Sequence, residues 1–276
     1  MDTNMENIKK ALQTILIVIF IGAIGFGVYY ALRLLWLDAA RNDAAREYKH
    51  LRSEVSETTE EPDNTEAVPA SPNEKTVLPE YKKLLKNYPN FGGWLKIEGT
   101  LVNYPVMIAK EKDPEYYLDH SYTGKQTDYG CLFIPFYGSY DSDNIIVYGH
   151  NCARGDMFGT LNRYLKEDFF REHTFILFDT PYEHRIYAVF AVMKISVNDS
   201  RFHFENYTDW GGTAGKSHFY IEESVRRSLF KPAATPPDGS KLLTLVTCEY
   251  TIPNGDGRYV IVAKDVTDYS SSQNKT

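Results

Sequence analysis

The sequence has no excess of basic residues and no internal repeats. Its 276 residues include 30 Lys and Arg against 37 Asp and Glu, which gives a formal net charge of −7. A nucleic-acid-binding protein normally presents a basic face, so this balance argues against that class and no nucleic-acid partner is expected.

Cysteine is scarce, with only Cys131, Cys152 and Cys248 in the chain. An odd count leaves at least one thiol unpaired within the chain, either as a reactive group or as a small buried hydrophobe. Paired C-x2-4-C spacing is absent, so a structural metal site built on His150, Cys152 and Cys248 is not favoured. We predict no metal and no cofactor, and a Cys131–Cys152 disulfide stays open.

A long uncharged segment is present near the N-terminus, where no charge lies between Lys10 and Arg33. About 20 apolar residues cross a bilayer core, and this run exceeds a signal-peptide core and has no small-residue cleavage site after it. A buried core helix is the alternative. We predict a cytoplasmic tail at 1–10 and a transmembrane signal anchor at 11–33.

The orientation of this anchor is less clearly encoded. Lys9 and Lys10 precede it, whereas Arg33, Arg41 and Arg46 follow it, so the positive-inside count is ambiguous. A short N-terminal tail and a large C-terminal domain favour the N-terminus inside the cell and the domain outside.

The region after the anchor changes composition twice. Residues 37–57 are charged and Ala-rich, which indicates a helical stalk, and residues 56–76 are acidic with almost nothing apolar, which indicates a flexible linker. We predict stalk and linker over 34–76, a folded domain at 77–268 and a disordered tail at 269–276.

The predicted domain consists mainly of short β-branched runs separated by turn residues, a pattern typical of a closed barrel or sandwich. Short helices are predicted at 78–85, 157–164 and 165–172, and an amphipathic helix at 217–230 lies in a long insertion. The predicted strands are 94–97, 102–107, 130–135, 144–149, 174–179, 184–197, 242–248 and 258–265.

Three residues at strand ends carry candidate chemistry. A thiolate at Cys248 would be the nucleophile, and an imidazole at His150 could take its proton and return one to a leaving amine. Arg258 stays cationic and can donate hydrogen bonds to a developing oxyanion. If the strands that carry Cys248 and Arg258 are paired neighbours, both side chains lie at one end of the sheet.

At these residues the chain resembles the sortase family, and most closely its class B. The motif TLxTC with a following arginine is present as TLVTC at 244–248 with Arg258, and a histidine after a Tyr-Gly strand end is present as IVYGHN at 146–151. The anchor, the linker and the helix-bearing insertion also match the family plan. The resemblance covers residues 78–266 and implies a closed eight-stranded β-barrel decorated with short helices.

The resemblance also implies a membrane-tethered cysteine transpeptidase on the outer face of a Gram-positive cell. Such an enzyme cuts a C-terminal sorting motif of NPxTx type in surface proteins after Thr, holds the fragment as a thioester and passes it to an amino group of a lipid II-type peptidoglycan precursor. It implies that Cys248 is the nucleophile, His150 the acid/base and Arg258 the oxyanion- or substrate-binding cation. The implied peptide contacts are Leu118, Tyr148, Tyr220, Ile221, Val246 and Glu249.

Other functions remain open at the level of sequence. A pilin-polymerising sortase would join protein subunits instead of using a wall precursor. A plain cysteine endopeptidase would hydrolyse the same bond, and a non-enzymatic, membrane-anchored β-barrel interaction domain would leave Cys248 buried and inert.

Overall fold

The computed structural model describes residues 2–60 and 75–268. Most of the predicted flexible linker at 56–76 and the whole predicted tail at 269–276 lie outside the described residues. The boundaries of these segments therefore stay predictions.

Helix α1 spans Asp2–Glu60. Every side chain from Leu12 to Trp36 is exposed, including the large apolar ones. In the part of the chain that the structure describes, α1 is the one helix long and apolar enough to cross a membrane. Met1–Lys49 forms one compact unit, and His50–Thr276 forms the second.

The second unit includes the last turns of α1. Leu51 is buried, and the Arg52 guanidinium donates a 3.0 Å hydrogen bond to the backbone carbonyl of Asn103. Leu51 and Arg52 precede residue 77, at which the sequence predicts the start of the domain.

The second unit contains a closed barrel of eight strands, as predicted. The strands are β1 Phe91–Lys96, β2 Asn103–Ile108, β3 Leu132–Ile134, β4 Asn144–Tyr148, β5 Phe175–Asp179, β6 Ile186–Ser196, β7 Leu242–Glu249 and β8 Gly257–Asp265. Their order around the barrel is β1-β2-β3-β4-β7-β8-β6-β5. The β1–β2 pair is antiparallel, whereas β2–β3 and β4–β7 are parallel.

Helix α2 precedes the barrel, and the other helices lie between the strands. Over residues 75–268 the helices are α2 Pro79–Asn87, α3 Tyr116–Asp119, α4 Glu167–Glu172 and α5 Ala214–Arg227, with 3-10 helices at Gly159–Leu165, Phe204–Asn206 and Pro253–Gly255. The predicted pair at 157–172 consists of the 3-10 helix Gly159–Leu165 followed by α4. The four-residue helix α3 was not predicted, because so short a segment shows no apolar periodicity.

The insertion between β6 and β7 covers one face of the barrel. Tyr220 and Ile221 of α5 are buried in one apolar cluster with Val246 of β7 and Ile146 of β4. Because its inner face meets the barrel core and its outer face meets this insertion, β7 is buried from Leu242 to Val246, where Thr244 is the one polar residue.

Candidate active site

Strand pairing brings the three candidate catalytic residues to one end of the barrel. β4 runs parallel to β7 with Tyr148 opposite Val246, so His150 follows β4 beside the end of β7 that carries Cys248. β7 runs antiparallel to β8 with Cys248 directly opposite Arg258. The three residues therefore lie on adjacent segments at the same edge of the sheet.

The imidazole of His150 makes a contact that defines which ring nitrogen carries the proton. Its Nε2 lies 2.6 Å from the backbone carbonyl oxygen of Leu118. A carbonyl only accepts hydrogen bonds, so Nε2 carries the proton, and in the neutral ring Nδ1 holds the lone pair. Nδ1 is therefore the ring atom of His150 that can accept a proton and, once protonated, donate one.

Gly149 allows close packing just before His150. A Cβ on this residue would lie 2.3 Å from Leu132 Cδ2 and 2.8 Å from Phe158 Cδ2. A larger residue here would require Leu132, Phe158 or the end of β4 to shift. The glycine of the Tyr-Gly-His motif therefore has a steric reason in this fold.

Cys248 is a half-buried thiol next to the last residue of β7. The preceding residue ties this strand to β4, because the Thr247 hydroxyl donates a 2.7 Å hydrogen bond to the carbonyl of Gly149. The side-chain amide of Asn151 donates to the carbonyl of Cys248 itself at 2.7 Å. Sequence reasoning missed this contact, although Asn151 directly follows the candidate histidine.

All three cysteines are thiols in the structure, so the Cys131–Cys152 disulfide that the sequence left open is not formed. Cys131 is buried, and its Sγ lies 3.6 Å from the carbonyl oxygen of Pro105. Cys152 is partly buried.

Arg258 is positioned by the loop that joins β7 and β8. Its Nη1 donates hydrogen bonds of 2.8 Å and 2.7 Å to the carbonyls of Gly255 and Gly257. These bonds fix one edge of the planar guanidinium, and they do not involve the N–H groups on Nε and Nη2.

Glu249 is fully buried, which differs from the exposure expected of a peptide contact. Its carboxylate accepts bonds of 2.8 Å from the backbone N–H groups of Thr251 and Ile252 and pairs with Lys194 Nζ at 3.0 Å. Although burial raises the pKa of a carboxyl, these donors hold the pKa of Glu249 at about 2. In this conformation Glu249 stabilises the turn that carries Arg258.

The remaining predicted peptide contacts fall into two groups. Leu118 and Tyr148 are half-buried, and the hydroxyl groups of Tyr148 and Tyr137 lie 3.2 Å apart. Tyr220, Ile221 and Val246 are buried between α5 and the barrel, and burial raises the pKa of Tyr220 to about 12. A peptide could touch these three side chains only after α5 moves, so their predicted role stays a prediction.

Within residues 2–60 and 75–268, no group of three or more His, Cys, Asp or Glu side chains lies close enough together to hold a metal ion. The chemistry that this edge offers is that of a thiol, an imidazole and a guanidinium. Such a set can perform nucleophilic acyl transfer.

Comparison with known proteins gives one consistent family. The sortase domain family model matches residues 95–266. Sortase B of Staphylococcus aureus (strain NCTC 8325 / PS 47) is 30% identical over 198 residues, which covers 70% of this chain and 78% of that protein. Sortase B of Listeria monocytogenes is 29% identical over 199 residues, covering 69% and 76%.

Solved structures agree with this relationship. The crystal structure of sortase B from B. anthracis in complex with AAEK1 has a TM-score of 0.68 at 26% identity, covering 83% of this chain and 99% of that one. The Staphylococcus aureus sortase B–substrate complex has a TM-score of 0.67 at 25% identity, covering 82% and 98%. The chain therefore belongs to the sortase family of transpeptidases, and its class B resemblance is confirmed.

Proposed function

We propose that this protein is a membrane-anchored class B transpeptidase that cuts an NPxTx-type sorting motif of surface proteins after Thr. It transfers the N-terminal fragment to an amino group of a lipid II-type peptidoglycan precursor. The observation that carries the proposal is the meeting of His150, Cys248 and Arg258 at one barrel edge through the β4–β7 and β7–β8 pairings.

The first half-reaction forms the thioester. His150 Nδ1 takes the proton of the Cys248 thiol, and the resulting thiolate attacks the Thr carbonyl carbon. The oxyanion that forms accepts hydrogen bonds from Nε and Nη2 of Arg258. The C–N bond then breaks as His150 delivers a proton from Nδ1 to the leaving amine. Support for this atom assignment comes from the Leu118 carbonyl, which occupies Nε2.

The second half-reaction releases the product. An acceptor amine attacks the thioester carbonyl, loses its proton to His150 Nδ1, and expels the Cys248 thiolate. Nε and Nη2 of Arg258 donate hydrogen bonds to the oxyanion of this second step as well. The peptide is proposed to lie along Leu118 and Tyr148, because both are accessible near His150.

The proposed location is the outer face of a Gram-positive membrane, with the N-terminus inside. The support is α1, whose apolar side chains from Leu12 to Trp36 are exposed and need a lipid surrounding. An anchored enzyme would meet both a membrane-borne precursor and the surface proteins that carry the sorting signal.

The test is transfer against hydrolysis with the full-length protein in detergent. A panel of sorting peptides is incubated with and without amines, including a wall-precursor peptide and a protein that offers a lysine, and products are read by mass spectrometry. We expect an amide of the NPxT fragment with the wall-precursor amine. Fast hydrolysis without amide would indicate an endopeptidase, and transfer only to the protein lysine would indicate pilin polymerisation.

A further inference from the structure

The backbone ladder between β4 and β7 stops short of the candidate nucleophile. Its last assigned pair is Tyr148 with Val246, followed by one bond of 3.2 Å from the Gly149 N–H to the Val246 carbonyl. In a parallel ladder the next carbonyl along β7, that of Cys248, would receive the N–H of residue 151. The chain leaves the strand here, and the side chain of Asn151 supplies the donor instead, at 2.7 Å.

Asn162 restrains the amide of Asn151. Asn162 Nδ2 donates to Asn151 Oδ1 at 2.7 Å, and Asn151 Nδ2 lies 3.2 Å from Asn162 Oδ1. The Cys248 carbonyl only accepts hydrogen bonds, so it requires Nδ2 of Asn151 on its side and sets the orientation of this amide. The reciprocal pair with Asn162 then holds the amide in that orientation.

Both asparagines lie on backbone that is held by packing or by a hydrogen bond. Asn162 lies in the 3-10 helix Gly159–Leu165, whose Leu161 and Tyr164 are fully buried. The His150 carbonyl accepts a 2.9 Å hydrogen bond from the Phe158 N–H, which closes the loop between His150 and that helix. The same short loop thus holds the acid/base candidate on one side and the Cys248 backbone on the other.

We propose that Asn151, locked by Asn162, is a positioning residue that sets the placement of the Cys248 main chain relative to His150. The inference rests on the proposed roles of those two residues. The hydrogen bond from the Asn151 side chain fixes the distance between Cys248 and His150 at a point where β4 and β7 are no longer paired. Misplacement of reacting groups by about 1 Å lowers rates by roughly 100-fold.

The test uses steady-state kinetics and site-resolved labelling of Cys248 by a methanethiosulfonate reagent, both with the full-length protein in detergent. For Asn151→Ala we expect kcat to fall by roughly 10- to 100-fold, with KM for the sorting peptide within about twofold of the parent value. Asn162→Ala keeps the bond to Cys248 but frees the amide to rotate, so it should show a smaller loss of the same kind.

Asn151→Asp separates positioning from packing, since it preserves shape. The ionised carboxylate of this variant only accepts hydrogen bonds and so cannot bond to the Cys248 carbonyl, whereas the protonated acid can donate to it. We therefore expect kcat and the Cys248 labelling rate, each relative to the parent at the same pH, to recover as the pH falls. A purely structural role would leave this ratio independent of pH.

The matched control is Asn103→Ala. Asn103 is a half-buried asparagine on β2 whose side chain accepts a 2.6 Å bond from Trp94, so its loss costs a comparable hydrogen bond away from this edge. Its kcat should stay near the parent value.

The inference is overturned if Asn151→Ala keeps the parent kcat, or if KM and thermal stability change while kcat does not. If Asn151→Ala does not fold, Asn162→Ala and Asn151→Asp decide by the same criteria. Turnover in Cys248→Ala would instead overturn the proposed function, so the two failures are distinguishable.

Discussion

Two regions of the barrel differ in what fixes their side chains. The catalytic edge, defined as His150, Cys248 and Arg258, is set by strand pairing and by hydrogen bonds to backbone carbonyls. The insertion face, defined as Tyr220, Ile221 and Val246, is set by packing of α5 against the barrel. A site held by backbone pairing is rigid and tied to local sequence, whereas one covered by a helix from elsewhere depends on tertiary context.

The largest effects are expected at the catalytic edge. His150→Ala removes the proposed proton donor for the leaving amine, and Arg258→Ala removes the proposed oxyanion donor, so each should lower kcat/KM by roughly 100- to 10,000-fold. Initial rates of peptide cleavage at fixed enzyme concentration measure this loss.

Two matched variants sharpen this prediction. Arg258→Lys keeps the charge without the planar fork and should recover only part of the rate. His218→Ala changes an exposed histidine of α5 and should leave the rate unchanged. A near-normal rate in His150→Ala would contradict the assigned role.

A smaller effect, on stability, is expected at Glu249. Glu249→Gln breaks the pair with Lys194 in a buried setting and should lower the free energy of unfolding by about 1–3 kcal/mol. Denaturant titration at neutral pH measures it. The control is Glu222→Gln, which breaks the exposed pair of Glu222 with His218 and should change the free energy of unfolding little.

The pH dependence of stability follows from the same carboxyl. The pKa of Glu249 is about 2 in the folded protein against an ordinary value of 4.5, so the ionised carboxylate stabilises the folded state. Its contribution is complete above about pH 4.5 and is lost as the pH falls toward 2. The parent should therefore lose more stability than Glu249→Gln over this interval, and parallel losses would contradict this assignment.

The smallest effect is expected at the insertion face. Tyr220→Phe removes a 2.8 Å hydrogen bond between the buried hydroxyls of Tyr220 and Thr244 and should cost about 0.5–1.5 kcal/mol of unfolding free energy. Thermal unfolding measures the loss. A rise in KM for the sorting peptide at unchanged stability would show that the peptide reaches beneath α5, and would erase the contrast between the two regions.

The difference between these regions also explains what the sequence could predict. The eight strands follow from short β-branched runs, and TLVTC, YGHN and Arg258 lie at their ends, so the edge that unites them follows from pairing alone. No sequence pattern marks the buried contacts of Glu249 and Tyr220. Lys194, the partner of Glu249, belongs to no motif, and the hydrogen bond of Tyr220 to Thr244 of TLVTC depends on the packing of α5 against the barrel. Likewise, Asn162 is recognisable only once its distance to Asn151 is known.

The most direct test of the central claim is the intact mass of the full-length protein after brief incubation with an NPxTx peptide. We predict that the parent accumulates an adduct with the mass of the N-terminal peptide fragment, that peptide mapping places it on Cys248, and that hydroxylamine releases it. Cys248→Ala should form none. An adduct on Cys131 or Cys152, or peptide turnover by Cys248→Ala, would contradict the account.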